Sequence, residues 1–411
     1  MPPASPLRYV TKSLEPAVDQ WAPMVAFAAL PTVGLVAGPS YSSMVIGLAV
    51  VQLSAGLALG RGLPSIDRPL AATAVMFLVL CWASTAWSIV PRESVRGALG
   101  LTGVLAAMLV FLAGRYDRPQ AVETLFRVLV IATVVGVAVA CLDVALHYPL
   151  ESMISTKPGV NAATKYNRGF DYLVLIVWPV VGHACWHRRW RTVLVLALTV
   201  AVMLAVTFSL AARAAVAAGM VVLVLAWIAP RLVAIVLPWG MAALVVTLPL
   251  GLRLLAERRA ELARFLKPSG ATRLEIWDYM TARVAEHPVR GWGLLSSKYL
   301  PIHPQELASY IYTGARGIYP HNQWLELWVE LGALGAALGL VFALLVLSRI
   351  RRLPDAIRPF AYAAFASAMT MASVNYEVTT DSWWSALAAS ALLFGILDRH
   401  TANIAAGGRP V

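Results

Sequence analysis

The chain has 411 residues, 59% of them apolar and 13% charged, with a mean hydropathy of +0.71. A soluble domain carries about 25% charged residues, so this composition excludes one. The net charge of +12 would suggest a nucleic-acid partner in a soluble protein. Here it has the character of the Lys and Arg excess of cytoplasmic loops, and no nucleic acid is expected. The apolar residues come in long runs, which predicts an all-α integral membrane protein and not a β-barrel of short alternating segments.

Residues 1–20 are polar and Pro-rich, and no cleavage pattern follows the first apolar run, so no secretory signal peptide is expected. Twelve spans follow, at 22–38, 41–60, 69–90, 95–113, 124–146, 170–187, 190–208, 213–229, 232–254, 321–348, 356–374 and 382–398. Most approach the roughly 20 residues needed to cross a hydrocarbon core. With the N-terminus inside, cytoplasmic segments carry 17 basic residues and the short outside loops six. That asymmetry places both termini in the cytoplasm. The chain divides into a membrane region at 1–254, an outer loop at 255–320, a second membrane region at 321–398 and a tail at 399–411. The three cysteines lie in apolar runs without C-x-x-C spacing and imply neither disulfide nor zinc site.

The loop 255–320 is too long for a connector. Two stretches in it, "LRLLAERRAELARFL" and "TRLEIWDYMTARVAEH", read as helices, the second ending at Pro288. A small helical cap on the outer face is expected.

Arginines on that face run against the charge bias and are the informative ones. Arg213 sits where two apolar runs reverse, either as a snorkelling anchor or as an anion ligand. Arg168, Arg273 and Arg290, with Lys165, complete a cationic set suited to phosphate or pyrophosphate. Arg92 and Arg96 suit headgroup contacts.

His321 opens "HNQWLELWVELGALG" and is the candidate general base, with Glu326 or Glu330 to orient it and Asn322 to hold the loop. The competing reading is that His321 caps the helix while the glutamates solvate its end. Gly335 and Gly339 have the spacing that lets two membrane helices approach closely. His183 and His187 fall on the cytoplasmic side, and His400 lies in the tail. No D-x-D pair occurs, so no metal site and no cofactor are expected.

The run "SGATRLEIWDYMTARVAEHPVRGWG" followed by "HNQWLELWVELGALG" resembles the signature of the O-antigen ligase and polymerase superfamily. That signature is S/T-G-R-x-x-x-W, a P-x-x-G-x-G turn, then H-N-x-x-L-x-x-x-x-E-x-G. Weaker echoes occur at "WASTAWSIVPRESVRGAL" and "ARAAVAAG". Ala212 stands where the family often has serine, and two residues separate Gly270 from Arg273.

The resemblance implies a GT-C-like glycosyltransferase with a long periplasmic loop between spans 9 and 10. Its donor would be an undecaprenyl-pyrophosphate-linked glycan. As a ligase it would use lipid A–core oligosaccharide as acceptor and complete lipopolysaccharide. A single metal-independent inverting displacement is implied, with His321 as base and Arg168, Arg213 and Arg273 on the pyrophosphate. The alternatives are an O-antigen polymerase or, from another class, a transporter or flippase of an anionic lipid-linked substrate. One long outer loop and a chain end thirteen residues after the last span favour the ligase. Charges gathered at one face, with no repeat symmetry, disfavour the transporter.

Overall fold

The computed structural model describes residues 21–59, 66–114, 119–154, 162–262, 264–265, 268–302 and 319–405. Every regular element among them is helical. In chain order the first are α1 (Ala22–Ala29), α2 (Val33–Val36), α3 (Ser40–Ala58), α4 (Arg68–Ser84) and α5 (Pro91–Leu112). Then come α6 (Pro119–Ala145), α7 (Pro149–Ile154), α8 (Ala162–Trp186), α9 (Trp190–Val206), α10 (Leu210–Ile228) and α11 (Pro230–Glu257). The expected outer loop contains α12 (Arg259–Leu262), α13 (Pro268–Glu286) and a 3-10 turn (Ser296–Tyr299). The chain closes with α14 (Gln323–Ile350), α15 (Arg358–Val374) and α16 (Asp381–Ala405).

Among the described residues seven helices are long and apolar enough to cross a membrane, and three shorter apolar segments accompany them. With α15 and α16, helix occupies all twelve expected positions, and the molecule is a helical integral membrane protein. Exposed Leu, Val, Ile and Trp side chains cover α9, α10 and α11, as lipid-facing helices require.

Two of the twelve are not continuous. The first is split by Pro31 into α1 and α2, because proline cannot donate the helical hydrogen bond. A Cβ at Gly136 of α6 would lie 1.9 Å from the Pro31 carbonyl oxygen, so only glycine admits this crossing. The second is α14, broken at Gly332 with φ +63° and ψ −159°. A Cβ at Gly339 would lie 3.2 Å from the Trp324 ring. In a straight helix those residues stand about 22 Å apart along the axis, so the halves turn back on each other. Gly335 and Gly339 therefore serve a fold within one helix, and not the helix–helix contact their spacing suggested.

The "ARAAVAAG" run does make a close crossing. Ala211, Ala212, Ala215 and Gly219 are buried on α10, and a Cβ at Gly219 would strike Trp178 and Ser367. Ser367 Oγ of α15 donates to the Ala215 carbonyl (2.8 Å) and accepts from Trp178 Nε1 (3.0 Å). Small side chains with a hydroxyl bond between them hold helices together where lipid offers no hydrophobic drive.

Candidate active site

The break in α14 exposes backbone groups that the helix no longer pairs, and the turn after α13 supplies partners for them. Val329 and Glu330 carbonyls accept from Trp292 N (2.9 Å) and Gly293 N (2.8 Å), while Ala333 N donates to the Pro288 carbonyl (2.8 Å). Gly291 (φ +66°), Gly293 (φ +98°) and Gly332 all occupy the left-handed half of backbone space. A Cβ on Gly291 would meet Glu330 backbone at 2.4 Å, and one on Gly332 would meet Val289 backbone at 2.3 Å. The P-x-x-G-x-G turn and the E-x-G step are thus two sides of one backbone junction.

The weaker echo packs on the far side of that turn. Trp87 Nε1 donates to the Arg290 carbonyl (3.2 Å), and Leu294 N to Ser84 Oγ (3.2 Å). Ser94 Oγ donates to the Leu294 carbonyl (2.6 Å).

The first half of α14 begins at an Asn cap. The Asn322 side chain accepts from Trp324 N (3.1 Å) and Leu325 N (3.0 Å). Capping, left open for His321, therefore belongs to Asn322.

Glu326 and Glu330 are buried and point elsewhere than His321. Glu330 accepts from Leu295 N (2.8 Å) and Ser297 N (3.3 Å), and Glu326 from Val378 N (2.7 Å). A carboxyl oxygen supplies the acceptor that loop N–H groups need where water cannot reach. Each glutamate therefore fixes one loop, and the loop tips meet: Lys298 Nζ lies 2.8 Å from Glu377 Oε2. The expected task of orienting His321 falls to neither glutamate.

His321 has φ +51°, a strained conformation for a non-glycine residue. Its neighbours hold it there. Trp277 Nε1 of α13 donates to the Pro320 carbonyl (2.8 Å), and the imidazole lies against the Tyr319 ring, 4.0 Å between centroids. Its Nδ1 is buried with no hydrogen-bond partner among the described residues. Burial, then the charges of Arg273, Arg168 and Lys298, lower its pKa to about 4. The imidazole is therefore neutral at pH 7 and able to accept a proton.

Arg168, Arg273 and His321 are thus brought together, and Lys298 joins them over the Tyr319 ring at 5.3 Å. Burial depresses Lys298, but its bond to Glu377 outweighs that and raises its pKa, so it stays charged. Arg213 sits one step away. Its Nε and Nη2 donate to the Leu204 (3.1 Å) and Thr207 (2.9 Å) carbonyls at the end of α9. Thr207 Oγ1 in turn donates to Asn167, beside Arg168 (3.2 Å). The fork is fixed with three of its five N–H donors left over.

Arg290 is exposed in the turn, and its charge is not among those acting on His321. The Lys165 side chain lies outside the described residues.

Three contributors carry no motif signal: Lys298, Glu377 and Asp171. Asp171 accepts from Ser209 Oγ (2.7 Å), Asn375 Nδ2 (2.9 Å) and Tyr376 OH (2.9 Å), tying α8, α10 and the α15–α16 loop below Arg168. Only a charged residue inside an apolar span hinted at Asp171. An apolar cavity of about 570 Å³ lies beside the first half of α14, lined by Phe77, Met108, Trp324, Phe342 and Trp383 among others.

Residues 193–340 match the family model for O-antigen ligase. Over 321 residues, 76% of each chain, the protein is 23% identical to a provisionally named polysaccharide ligase of Rickettsia typhi. A Rickettsia bellii protein of the same name is 23% identical over 320 residues, again 76% of each chain. A Rickettsia conorii relative, likewise named, is 31% identical over 123 residues, 29% of each chain. The matched region holds the broken helix, its glycine junction and His321, and over it the chain is similar to the O-antigen ligase family.

Proposed function

We propose that this protein is an O-antigen ligase, moving a glycan from undecaprenyl pyrophosphate to lipid A–core oligosaccharide at the periplasmic face of the inner membrane. The observation that carries the reading is His321: a neutral imidazole on a strained backbone, its Nδ1 without a hydrogen-bond partner among the described residues, under the charge of three cationic side chains. The relatives are named polysaccharide ligases, which agrees with transfer of a glycan. The 17-to-6 charge asymmetry supports the periplasmic assignment.

In this mechanism Arg168, Arg273 and Lys298 bind the donor pyrophosphate, and Arg213 adds its three spare donors from the edge. The acceptor hydroxyl oxygen attacks the anomeric carbon and its proton passes to His321. The bond from that carbon to pyrophosphate breaks, and the electron pair leaves on the phosphate oxygen, where the guanidinium groups stabilise it. Inversion at the anomeric carbon follows from a single displacement.

The charges that lower the His321 pKa are the ones the pyrophosphate neutralises. Donor binding therefore raises the basicity of His321 toward the working pH, where a general base is most effective. The base strengthens when the leaving group is in place. No metal enters the step, since the cationic side chains supply the charge. The apolar cavity beside Trp324 offers a place for the first isoprene units of the carrier.

The test is reconstitution of purified protein with undecaprenyl-pyrophosphate glycan and lipid A–core. A ladder on lipid A–core supports the ligase. Growth of glycan on the carrier alone would replace it with the polymerase.

A further inference from the structure

The histidines that sequence placed away from the site converge at the other end of α8, roughly 28 Å along the helix from Arg168. Glu123 of α6, His183 and His187 around the end of α8, and His400 of α16 meet there. His183 and His400 are 3% and 5% exposed. One Glu123 oxygen, Oε1, lies 3.2 Å from His183 Nε2 and 2.9 Å from His187 Nε2. The other, Oε2, is taken by Arg189 at 2.7 Å.

Two features distinguish this group from an ordinary hydrogen-bonded cluster. His187 Nε2 is close to Oε1 but not aligned to donate to it, and it has no hydrogen-bond partner among the described residues. His400 Nε2 is also buried without a partner among the described residues. Buried polar atoms are rarely left so, because water's hydrogen bonds are lost with nothing in exchange. Two ring nitrogens and a carboxylate oxygen instead lie within 4.8 Å of one another.

We propose that Glu123, His187 and His400 bind a transition-metal cation, zinc above all. Imidazole nitrogen with one carboxylate is a ligand set suited to zinc, and three such ligands leave a fourth position in a tetrahedron. The present separations close to the roughly 3.5 Å of such a site by small side-chain rotations, given metal–ligand distances of about 2.0–2.2 Å. The surroundings orient the ligands. His183 and Arg189 hold the carboxylate, and Trp186 packs edge-on against His400, 5.5 Å between centroids. Such outer contacts set ligand direction in metal sites. The bound ion staples the start of α6 and the end of α8 to α16. It lies far from His321 and takes no part in the transfer step.

The test uses the full chain without an affinity tag, since a polyhistidine tag would itself bind zinc. Protein in detergent is stripped with a chelator, then titrated with Zn²⁺ and analysed for bound metal and melting temperature. The expected result is one Zn²⁺ per chain and a higher melting temperature. His400→Gln and Glu123→Gln each remove a ligand and should weaken binding by more than the roughly 10- to 100-fold that loss of an outer contact costs. Less than half an equivalent in the wild-type protein, or wild-type binding in His187→Gln/His400→Gln, overturns the site. Should the variants fail to fold, Co²⁺ in the wild-type protein decides. Strong visible bands of a four-coordinate ion support the site, and the weak spectrum of hydrated Co²⁺ overturns it.

Discussion

Gly332→Ala probes the junction on which the site is built. At φ +63° and ψ −159° the backbone occupies a region used almost solely by glycine, and an alanine there costs about 1–3 kcal/mol. The added Cβ would lie 2.3 Å from the Val289 carbonyl carbon and oxygen, so the Pro288–Gly293 turn must move. Moving it lengthens the bonds from Trp292 N to Val329 and from Gly293 N to Glu330, each worth about 0.5–1.5 kcal/mol. The sum is about 2–6 kcal/mol, a large part of a typical folding free energy. Gly100→Ala is the control, because a Cβ there meets nothing within 4 Å. Thermal unfolding in detergent, with transfer per folded molecule, is the assay. Gly332→Ala should unfold several degrees lower and transfer poorly even where folded, while Gly100→Ala should match wild type. Wild-type stability and transfer in Gly332→Ala would mean the helix runs unbroken through 332 and the turn does not insert.

The other predictions rest on the charges around His321. Arg213→Lys should lower transfer at least tenfold, because an ammonium cannot hold the Leu204 and Thr207 carbonyls and also offer a planar pair of donors. A lower melting temperature with unchanged transfer would assign Arg213 to capping α9 alone. For pH, the active form is the neutral imidazole, present above its pKa and lost as pH falls through it. The acid limb of kcat/KM, which reports free enzyme, should therefore inflect near pH 4, and that of kcat at higher pH, because bound pyrophosphate offsets the three cations. Coincident limbs near pH 6.5 would remove the electrostatic part of the account.

The sequence was most legible where periodicity or steric necessity leaves a mark. Long apolar runs announced the helices, and Pro288 ended α13 as expected. Arg168 and Arg273 stood out because arginine on the outer face runs against the charge bias, and His321 because it stands at the entrance of an apolar span. The break at Gly332 was hidden, since Gly332, Gly335 and Gly339 fit a smooth helix face equally well. Only the positive φ and the opposing turn separate the two cases. Glu326 and Glu330 looked like partners for His321 because they follow Asn322, its neighbour, at four-residue spacing on one helix face. Spacing along a helix cannot say which distant loop packs on that face, and here the loops of Leu295–Ser297 and Val378 claim them. Lys298 and Glu377 were invisible for the same reason, as they meet only through that packing.

The central claim is that His321 takes the acceptor proton, and His321→Asn tests it most directly. Asparagine tolerates the left-handed backbone at this position better than most residues, and the cap remains because Asn322 supplies it. The substitution therefore removes the base and leaves the loop in place. Donor affinity and transfer should be measured on the same purified variant. The account predicts donor binding within a few-fold of wild type and transfer reduced by about 100- to 10,000-fold. Transfer at the wild-type rate would contradict it, and would leave His321 as a residue that only shapes the entrance to α14.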